Sequence, residues 1–184
     1  MVIGPRGAGK STLAAWLGET KVRIGRTPVM VYGERTIEAP GAYLECPWMH
    51  CHLIAAAQDA LCVIMIADAA GNRRKRTYPP GFAGVFGPPV IGVVSKCDLD
   101  PAAVSDCEAE LLQAGVPGPF YRSGCGETDE VEALRRAVAE IEVSGRFGGI
   151  IKNQKGGTGL GTVYYEHTDL HGSWLPGENP RFGN

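Results

Sequence analysis

The sequence has almost no net charge, no C-x-x-C cysteine pair and no apolar run long enough to span a membrane. A formal net charge of −2 gives no global electrostatic case for nucleic acid or an anionic membrane, so we expect neither as a partner. The chain start lacks the basic segment and apolar run of a signal peptide. With six scattered cysteines, these features predict reduced thiols and a cytoplasmic protein.

What is present is an ordinary globular composition, with 44% hydrophobic and 21% charged residues in 184. This length is enough for one domain with a proper core. Within it, the segment from Gly4 to Ser11 fits Gly-x-x-x-x-Gly-Lys-Ser/Thr, the phosphate-binding loop of P-loop nucleotide hydrolases. Only three residues precede this loop, so we expect a short first strand or a truncated chain start.

The chemistry of phosphate binding explains the spacing in this loop. Glycines let successive backbone N–H groups turn toward a phosphate, and the helix that follows aims its positive end at the same place. Lys10 would act catalytically by reaching the β- and γ-phosphates, and the Ser11 hydroxyl would hold Mg²⁺. The predicted nucleotide-binding residues of the loop are Gly4, Arg6, Gly7, Ala8, Gly9, Lys10, Ser11 and Thr12.

Apolar runs alternate with helical patterns along the rest of the chain. This order predicts an α/β fold of three layers, with a mainly parallel, doubly wound sheet. Two continuous apolar runs are typical of strands buried on both faces, and two shorter ones of strands nearer an edge. The buried strands are predicted over 61–67 and 89–95, the shorter ones over 29–32 and 35–38, a last strand over 119–122, and helices over 11–17, 47–59, 101–114 and 128–142.

The character of the chain changes after Gly145. Residues 145–184 are rich in glycine and lack helical periodicity, although 162–165 could form one short strand. We therefore predict a nucleotide-binding domain over 1–144 and a flexible or peripherally docked extension over 145–184.

Three further motifs follow the loop in the order used by small GTPases. In 38–41 the acid, Glu38, resembles the aspartate that reaches Mg²⁺ through water, and Gly41 the glycine whose N–H contacts the γ-phosphate. Residues 95–98 resemble the Asn/Thr-Lys-x-Asp element that reads guanine, and 123–125 the loop that supports the guanine edge. The predicted residues on the base side are Ser95, Lys96, Asp98, Leu99, Ser123, Gly124 and Cys125.

Over residues 2–142 the chain resembles the EutP/PduV-type small GTPase-like proteins, which are linked to bacterial microcompartments for ethanolamine and propanediol utilisation. Besides the phosphate loop, the segments 37–45, 80–84 and 89–99 carry the resemblance. It implies a Ras-like G domain that binds GTP or GDP with Mg²⁺, and microcompartment shell or enzyme proteins as partners. It also places Thr27 at the position where a threonine contacts Mg²⁺ and the γ-phosphate, although a solvated loop threonine fits equally well.

The chain departs from the GTPase pattern at three positions. Glu38 replaces the usual aspartate, Ser95 replaces asparagine or threonine, and Ala42 stands where well-known GTPases place the glutamine that orients water. Arg6 and Arg26 are candidates for an arginine finger in cis, or simply solvated charges. These departures predict slow intrinsic hydrolysis that a partner or assembly would raise.

Two segments invite other interpretations. Residues 46–52 contain two cysteines and two histidines, but a helix after the Gly41 motif, with Cys51 packed as a small hydrophobe, is favoured over a metal site. The basic run 73–76 would contact an acidic partner or RNA, or lie in a solvated loop.

Three functions remain open at this point. The leading hypothesis is a GTP-binding, slowly hydrolysing protein with a regulatory or assembly role at a bacterial microcompartment. The second is an ATP-dependent phosphotransferase of the acetate kinase type, which the altered residue Ser95 keeps open. The third is an interaction module that stays locked on its nucleotide without turnover.

Overall fold

The computed structural model describes residues 1–18, 29–71, 76–124, 126 and 129–151. Several predicted features lie outside these residues and have no structural outcome here. They are Arg26, Thr27, the basic positions 73–75, Cys125, and the glycine-rich part of the extension over 152–184.

Six strands form one sheet in the order β2-β3-β1-β4-β5-β6. All neighbouring pairs are parallel except β2 and β3, which are antiparallel at one edge. The mainly parallel sheet and the peripheral place of the two short strands agree with the prediction. The strands are β1 (Val2–Ile3), β2 (Val31–Tyr32), β3 (Ile37–Glu38), β4 (Val63–Asp68), β5 (Val90–Ser95) and β6 (Tyr121–Ser123).

Helices cover both faces of the sheet. Short 3₁₀ helices over Pro47–Met49 and Pro101–Ala103 lead into α3 and α4, and another spans Phe82–Val85 between β4 and β5. The α-helices are α1 (Lys10–Trp16), α2 (Ala42–Glu45), α3 (His50–Ala57), α4 (Val104–Gln113) and α5 (Asp129–Ile151).

The helices differ from prediction in four places, one of which is the helix predicted over 101–114, which begins as a 3₁₀ turn before α4. Helix α2 was not predicted, and the helix predicted over 47–59 divides into a 3₁₀ turn and α3. The last helix, predicted to end before Gly145, continues to Ile151. One glycine costs a helix only about 1 kcal/mol relative to alanine, so it does not by itself end the element. The division of the chain at residue 145 stays a prediction.

Two apolar clusters on opposite faces of the sheet make the three layers. Successive residues of a strand point to opposite faces, so Ile3 and Met65 pack in one cluster, and Val2 and Ile64 in the other. The first cluster includes Leu53 of α3 and Leu111 of α4, whereas the second includes Leu13 of α1 and Leu134 of α5. This packing places the carboxyl ends of the parallel strands at one edge, where ligands bind in open α/β sheets.

The five described cysteines are all free thiols. Among the helices that the structure describes, none combines the length and apolar character needed to cross a membrane.

Candidate nucleotide site

The phosphate loop connects β1 to α1 through a turn that requires glycine. Gly7 and Gly9 have φ angles of +79° and +81°, in the left-handed region that other residues rarely adopt. The N–H of Ala8 donates to the carbonyl oxygen of Pro5 at 3.3 Å, and α1 begins at Lys10. The loop predicted from the sequence is therefore formed as a strand, a tight turn and a helix.

The Lys10 side chain lies buried across the base of this loop. Its ammonium donates to the carbonyl oxygens of Gly4 at 3.0 Å and Pro5 at 2.8 Å. Burial lowers the pKa of Lys10; the charge of Glu38 opposes that shift and the charge of Arg6 adds to it. A phosphate anion beside this ammonium would compensate its buried positive charge.

The first two predicted Mg²⁺ ligands are brought together by the parallel pairing of β3 and β1. The Ser11 hydroxyl donates to Glu38 Oε1 at 2.5 Å, and Glu38 is buried. Hydroxyl and carboxylate oxygens are the donors that Mg²⁺ prefers, so the pair fits the cation by its chemistry. The third predicted ligand, Thr27, lies outside the described residues.

The Gly41 backbone lies directly against the phosphate loop. A Cβ built on Gly41 would be 2.5 Å from the backbone nitrogen of Arg6, a distance at which something must shift. Only glycine therefore allows this approach. Ala42 begins α2 immediately afterwards and has no polar group to orient a water molecule.

The residues predicted to recognise the base, apart from Cys125, which the structure does not describe, lie at the ends of β5 and β6. The N–H of Cys97 donates to the carbonyl oxygen of Ser123 at 3.1 Å, which joins the two loops. A Cβ on Gly124 would lie 3.1 Å from Asp98 Oδ1, so the carboxylate contacts the second loop. Asp98 and Leu99 are exposed, whereas Ser95 is buried and donates to the carbonyl oxygen of Ala67 at 3.3 Å.

Asp68 belongs to this group, although the sequence reasoning missed it. Lys96 has an unusual φ of +57°, and its ammonium pairs with Asp68 Oδ2 at 2.7 Å. The other carboxylate oxygen of Asp68 accepts the N–H of Ala70 at 3.1 Å. The sequence does contain a signal for Asp68: it is an acidic residue at the end of the buried strand β4. The neighbouring strand β5 leads into Lys96, so the two side chains could be expected to lie close together.

The segment 46–52 contributes packing rather than metal ligands. His50 Nε2 lies 3.1 Å from the carbonyl oxygen of Leu44, and its ring centroid is 4.9 Å from that of Phe82. The prediction that Cys51 packs as a small hydrophobe was wrong, because Cys51 is exposed and its thiol donates a hydrogen bond to the carbonyl oxygen of Trp48 at 3.2 Å. Within the described residues there is no cluster of three or more His, Cys, Asp or Glu side chains able to hold a metal ion.

Comparison with known proteins adds three findings. The model of the PduV-EutP family, described as "Ethanolamine utilisation - propanediol utilisation", matches residues 1–140. The propanediol utilization protein PduV of Citrobacter freundii is 34% identical over 131 residues, which are 70% of this chain and 85% of that protein. The crystal structure of a probable GTP-binding protein, engB, superposes with a TM-score of 0.54 at 18% identity, covering 76% of this chain and 96% of the other. With the sheet order above, this likeness establishes a Ras-like P-loop NTPase fold.

Proposed function

The chain belongs to the PduV-EutP family, and we propose that it binds GTP and GDP with Mg²⁺ and hydrolyses GTP slowly. The observation that carries the proposal is the convergence of two motifs, the phosphate loop and residues 38–41, on one point at the carboxyl edge of the sheet. Lys10 crosses the phosphate loop, Glu38 accepts the Ser11 hydroxyl, and the Gly41 backbone touches the loop at Arg6.

Each of these residues would bind a different part of a nucleoside triphosphate and its Mg²⁺. The backbone of the phosphate loop and the Lys10 ammonium would surround the β- and γ-phosphates with positive charge. Ser11 would bind Mg²⁺, Glu38 would bind it through water, and Thr27 would contact Mg²⁺ and the γ-phosphate. When bound, Mg²⁺ would neutralise charge that develops on the phosphate oxygens during hydrolysis.

The preference for guanine rests on the loops after β5 and β6. The exposed Asp98 carboxylate can accept two hydrogen bonds, which suits the guanine N1–H and N2 amino group. This carboxylate lies beside Gly124 of the second loop, and the Lys96 stem would cover the base. The Ser95 hydroxyl already donates a hydrogen bond to the carbonyl oxygen of Ala67 within the sheet. We therefore assign Ser95 a packing role beneath the loop that carries Asp98.

Slow turnover follows from Ala42. At the start of α2, directly after Gly41, the chain offers a methyl group where a water-orienting amide would be needed. A partner that supplies a polar group would then accelerate hydrolysis, and the nucleotide state would report whether that partner is engaged.

The biological setting is proposed from the family. Its description and the name of the Citrobacter freundii relative both refer to ethanolamine or propanediol utilisation. We therefore propose a cytoplasmic protein that acts in regulation or assembly at a bacterial microcompartment, with shell or enzyme proteins as partners.

Calorimetric titration of the full chain with GTP, GDP and ATP in the presence of Mg²⁺ tests this function. Guanine nucleotides should bind more tightly than ATP, and Asp98→Ala should abolish the difference. Asp59→Ala is the matched control, because Asp59 is an exposed aspartate that precedes β4 at the opposite edge of the sheet. Tight ATP binding without guanine preference would contradict the proposal.

Product analysis then separates slow hydrolysis from the other two functions. Release of GDP and phosphate well below about one turnover per second would support the proposal, and turnover near that rate without a partner would contradict it. Acetyl phosphate formed from ATP and acetate would indicate the phosphotransferase. Binding with no product would indicate the locked interaction module.

A further inference from the structure

Tyr78 is a buried tyrosine whose hydroxyl reaches the root of the phosphate loop from beneath. The hydroxyl donates to the carbonyl oxygen of Ile66 in β4 at 2.8 Å and lies 3.4 Å from that of Ile3 in β1. Ile3 is the residue immediately before Gly4. One side chain therefore contacts both central strands at the point where the loop begins.

The first residue of the loop lies on the same part of β4. A Cβ on Gly4 would be 3.0 Å from Ile66 Cβ and 3.2 Å from the Ile66 carbonyl oxygen. The carbonyl oxygen of Gly4 in turn accepts a hydrogen bond from Lys10. The Tyr78 hydroxyl is thus bonded to Ile66, Gly4 lies close beside Ile66, and Gly4 is bonded to the Lys10 ammonium.

Tyr78 is itself held by α4. The backbone N–H groups of Thr77 and Tyr78 both donate to Glu110 Oε1, at 2.5 Å and 3.2 Å. Just before them, the Arg76 guanidinium donates to the Gln113 side chain. Because α4 packs against the sheet, these bonds fix the depth at which the tyrosine enters the core.

The Tyr78 ring also belongs to a series of ring contacts that extends to α2, the helix that follows Gly41. Its centroid is 6.2 Å from that of Phe82, which in turn contacts the His50 ring. The imidazole lies within hydrogen-bond distance of Leu44 in α2, the helix that begins directly after Gly41. One aromatic cluster therefore supports both backbone segments that meet at the phosphate position.

We propose that Tyr78 is a positioning residue for nucleotide binding, whose hydroxyl sets the position of Gly4 and hence of the phosphate loop. This inference rests on the proposed function, since it concerns the same site. A purely structural tyrosine would affect stability alone. A positioning tyrosine should also change the phosphate environment in the folded, nucleotide-loaded protein.

Tyr78→Phe tests the inference, because it removes the hydroxyl and leaves the ring in place. A hydrogen bond contributes roughly 0.5–1.5 kcal/mol, so affinity for Mg²⁺·GDP should fall by about two- to tenfold. The ³¹P resonance of the β-phosphate in the bound nucleotide should shift. The ratio of GTP to ATP affinity should not change, since the base loops lie elsewhere.

Tyr121→Phe is the matched control, since Tyr121 is a half-buried tyrosine that packs on the other face of the sheet. All measurements are made well below the thermal transition, where a small loss of stability leaves the folded fraction, and so the apparent affinity, unchanged. Weaker binding with a shifted ³¹P resonance in Tyr78→Phe alone supports the inference.

Either of two results would overturn it. One is wild-type affinity and an unshifted resonance in Tyr78→Phe, and the other is an equal loss in both variants. A wild-type chain that binds no nucleotide is recognised before any variant is compared. That result would reject the proposed function and this inference with it.

Discussion

Ser11 and Glu38 are 27 residues apart in the sequence, yet the hydroxyl of one donates to the carboxylate of the other at 2.5 Å. The hydroxyl belongs to the start of α1 and the carboxylate to the end of β3, so the sheet order alone brings them together. These are two of the oxygen donors that we propose as Mg²⁺ ligands, and the fold brings them together in the absence of nucleotide.

Removing the charge of Glu38 should weaken Mg²⁺ binding and so raise the Mg²⁺ concentration that nucleotide binding requires. Glu38→Gln keeps an acceptor for the Ser11 hydroxyl but loses the negative charge, so the Mg²⁺ concentration for half-maximal GTP binding should rise about tenfold or more. Titration of Mg²⁺ against bound fluorescent GTP measures it. Glu45→Gln, which changes an exposed acid on α2, should leave the midpoint in place; equal midpoints in all three proteins would refute the assignment.

The close approach of Gly41 predicts a steric effect on affinity. Gly41→Ala puts a methyl carbon 2.5 Å from the Arg6 backbone nitrogen, so the phosphate loop or α2 must move. Overpacking of this kind costs about 1–3 kcal/mol, which corresponds to a roughly five- to hundredfold loss of GTP affinity if the loop is what moves.

Gly84→Ala is the control for this substitution. Gly84 lies in a 3₁₀ helix and a Cβ there would meet no atom within 4 Å, so binding should match the wild type. Calorimetry on both variants gives the answer, and tight binding by Gly41→Ala would mean that its backbone does not touch the phosphate loop in solution.

The ion pair between Asp68 and Lys96 should influence base selectivity. Asp68→Asn removes the partner of Lys96, whose backbone already has an unfavourable φ, so the loop carrying Asp98 should loosen. The Asp68 side chain is 6% exposed but that of Lys96 is 32% exposed, so solvent screens part of the loss. We expect a severalfold weaker preference for GTP over ATP in competition binding.

A surface ion pair provides the comparison for Asp68. Glu108→Gln removes the partner of Arg122 at 2.8 Å, where the two side chains are 26% and 53% exposed. Exposed pairs contribute little, so selectivity should not change. A loss of selectivity in Glu108→Gln as large as in Asp68→Asn would show that the effect is general to charges near these loops.

Burial of Lys10 predicts how stability depends on pH. Because desolvation lowers its pKa in the folded protein below the usual 10.5, the folded chain releases this proton first as the pH rises. Between the two values the unfolded chain binds more protons, so the free energy of unfolding rises with pH across that window. Below the window both states are protonated and the contribution is constant.

Lys10→Met isolates this contribution, since it keeps an unbranched side chain that is one atom shorter and has no titratable group. Urea unfolding at a series of pH values up to 10.5 should show the wild type gaining stability relative to the variant as the pH increases. A constant difference between the two proteins over the whole series would contradict the prediction.

Ala42 predicts a gain of activity. Ala42→Gln places an amide at the start of α2, next to the expected γ-phosphate, and should raise GTP hydrolysis by an order of magnitude or more. Ala42→Met supplies similar length without hydrogen-bonding groups and should leave the rate low. Single-turnover assays compare them, and equal rates in the two variants would argue against a missing water-orienting group.

Local sequence patterns were enough to predict where most residues of the candidate site lie in the fold. The phosphate loop is a contiguous motif, and the other motifs each follow an apolar run that forms a strand. Since the carboxyl ends of parallel strands meet at one edge, Glu38, Lys96 and Ser123 could be placed near the loop without a structure.

The remaining features depend on contacts between distant parts of the chain. Tyr78 carries no local sign of its role, because the carbonyl oxygens it meets belong to Ile3 and Ile66. The end of α5 was missed for another reason: Gly145 weakens a helix, but the sequence does not reveal whether neighbouring turns compensate.

The contacts of Tyr78 have a consequence for when the protein becomes competent during its synthesis. The phosphate loop is synthesised before most of the strands around it, because β1 lies in the middle of the sheet, between β3 and β4. Tyr78 follows much later, and Glu110, which holds its backbone, later still. A nascent chain that ends before α4 therefore carries the complete phosphate-loop sequence without the support beneath it. Nucleotide binding should then begin only when more than a hundred residues have emerged, which ties the first use of the site to near-completion of the domain.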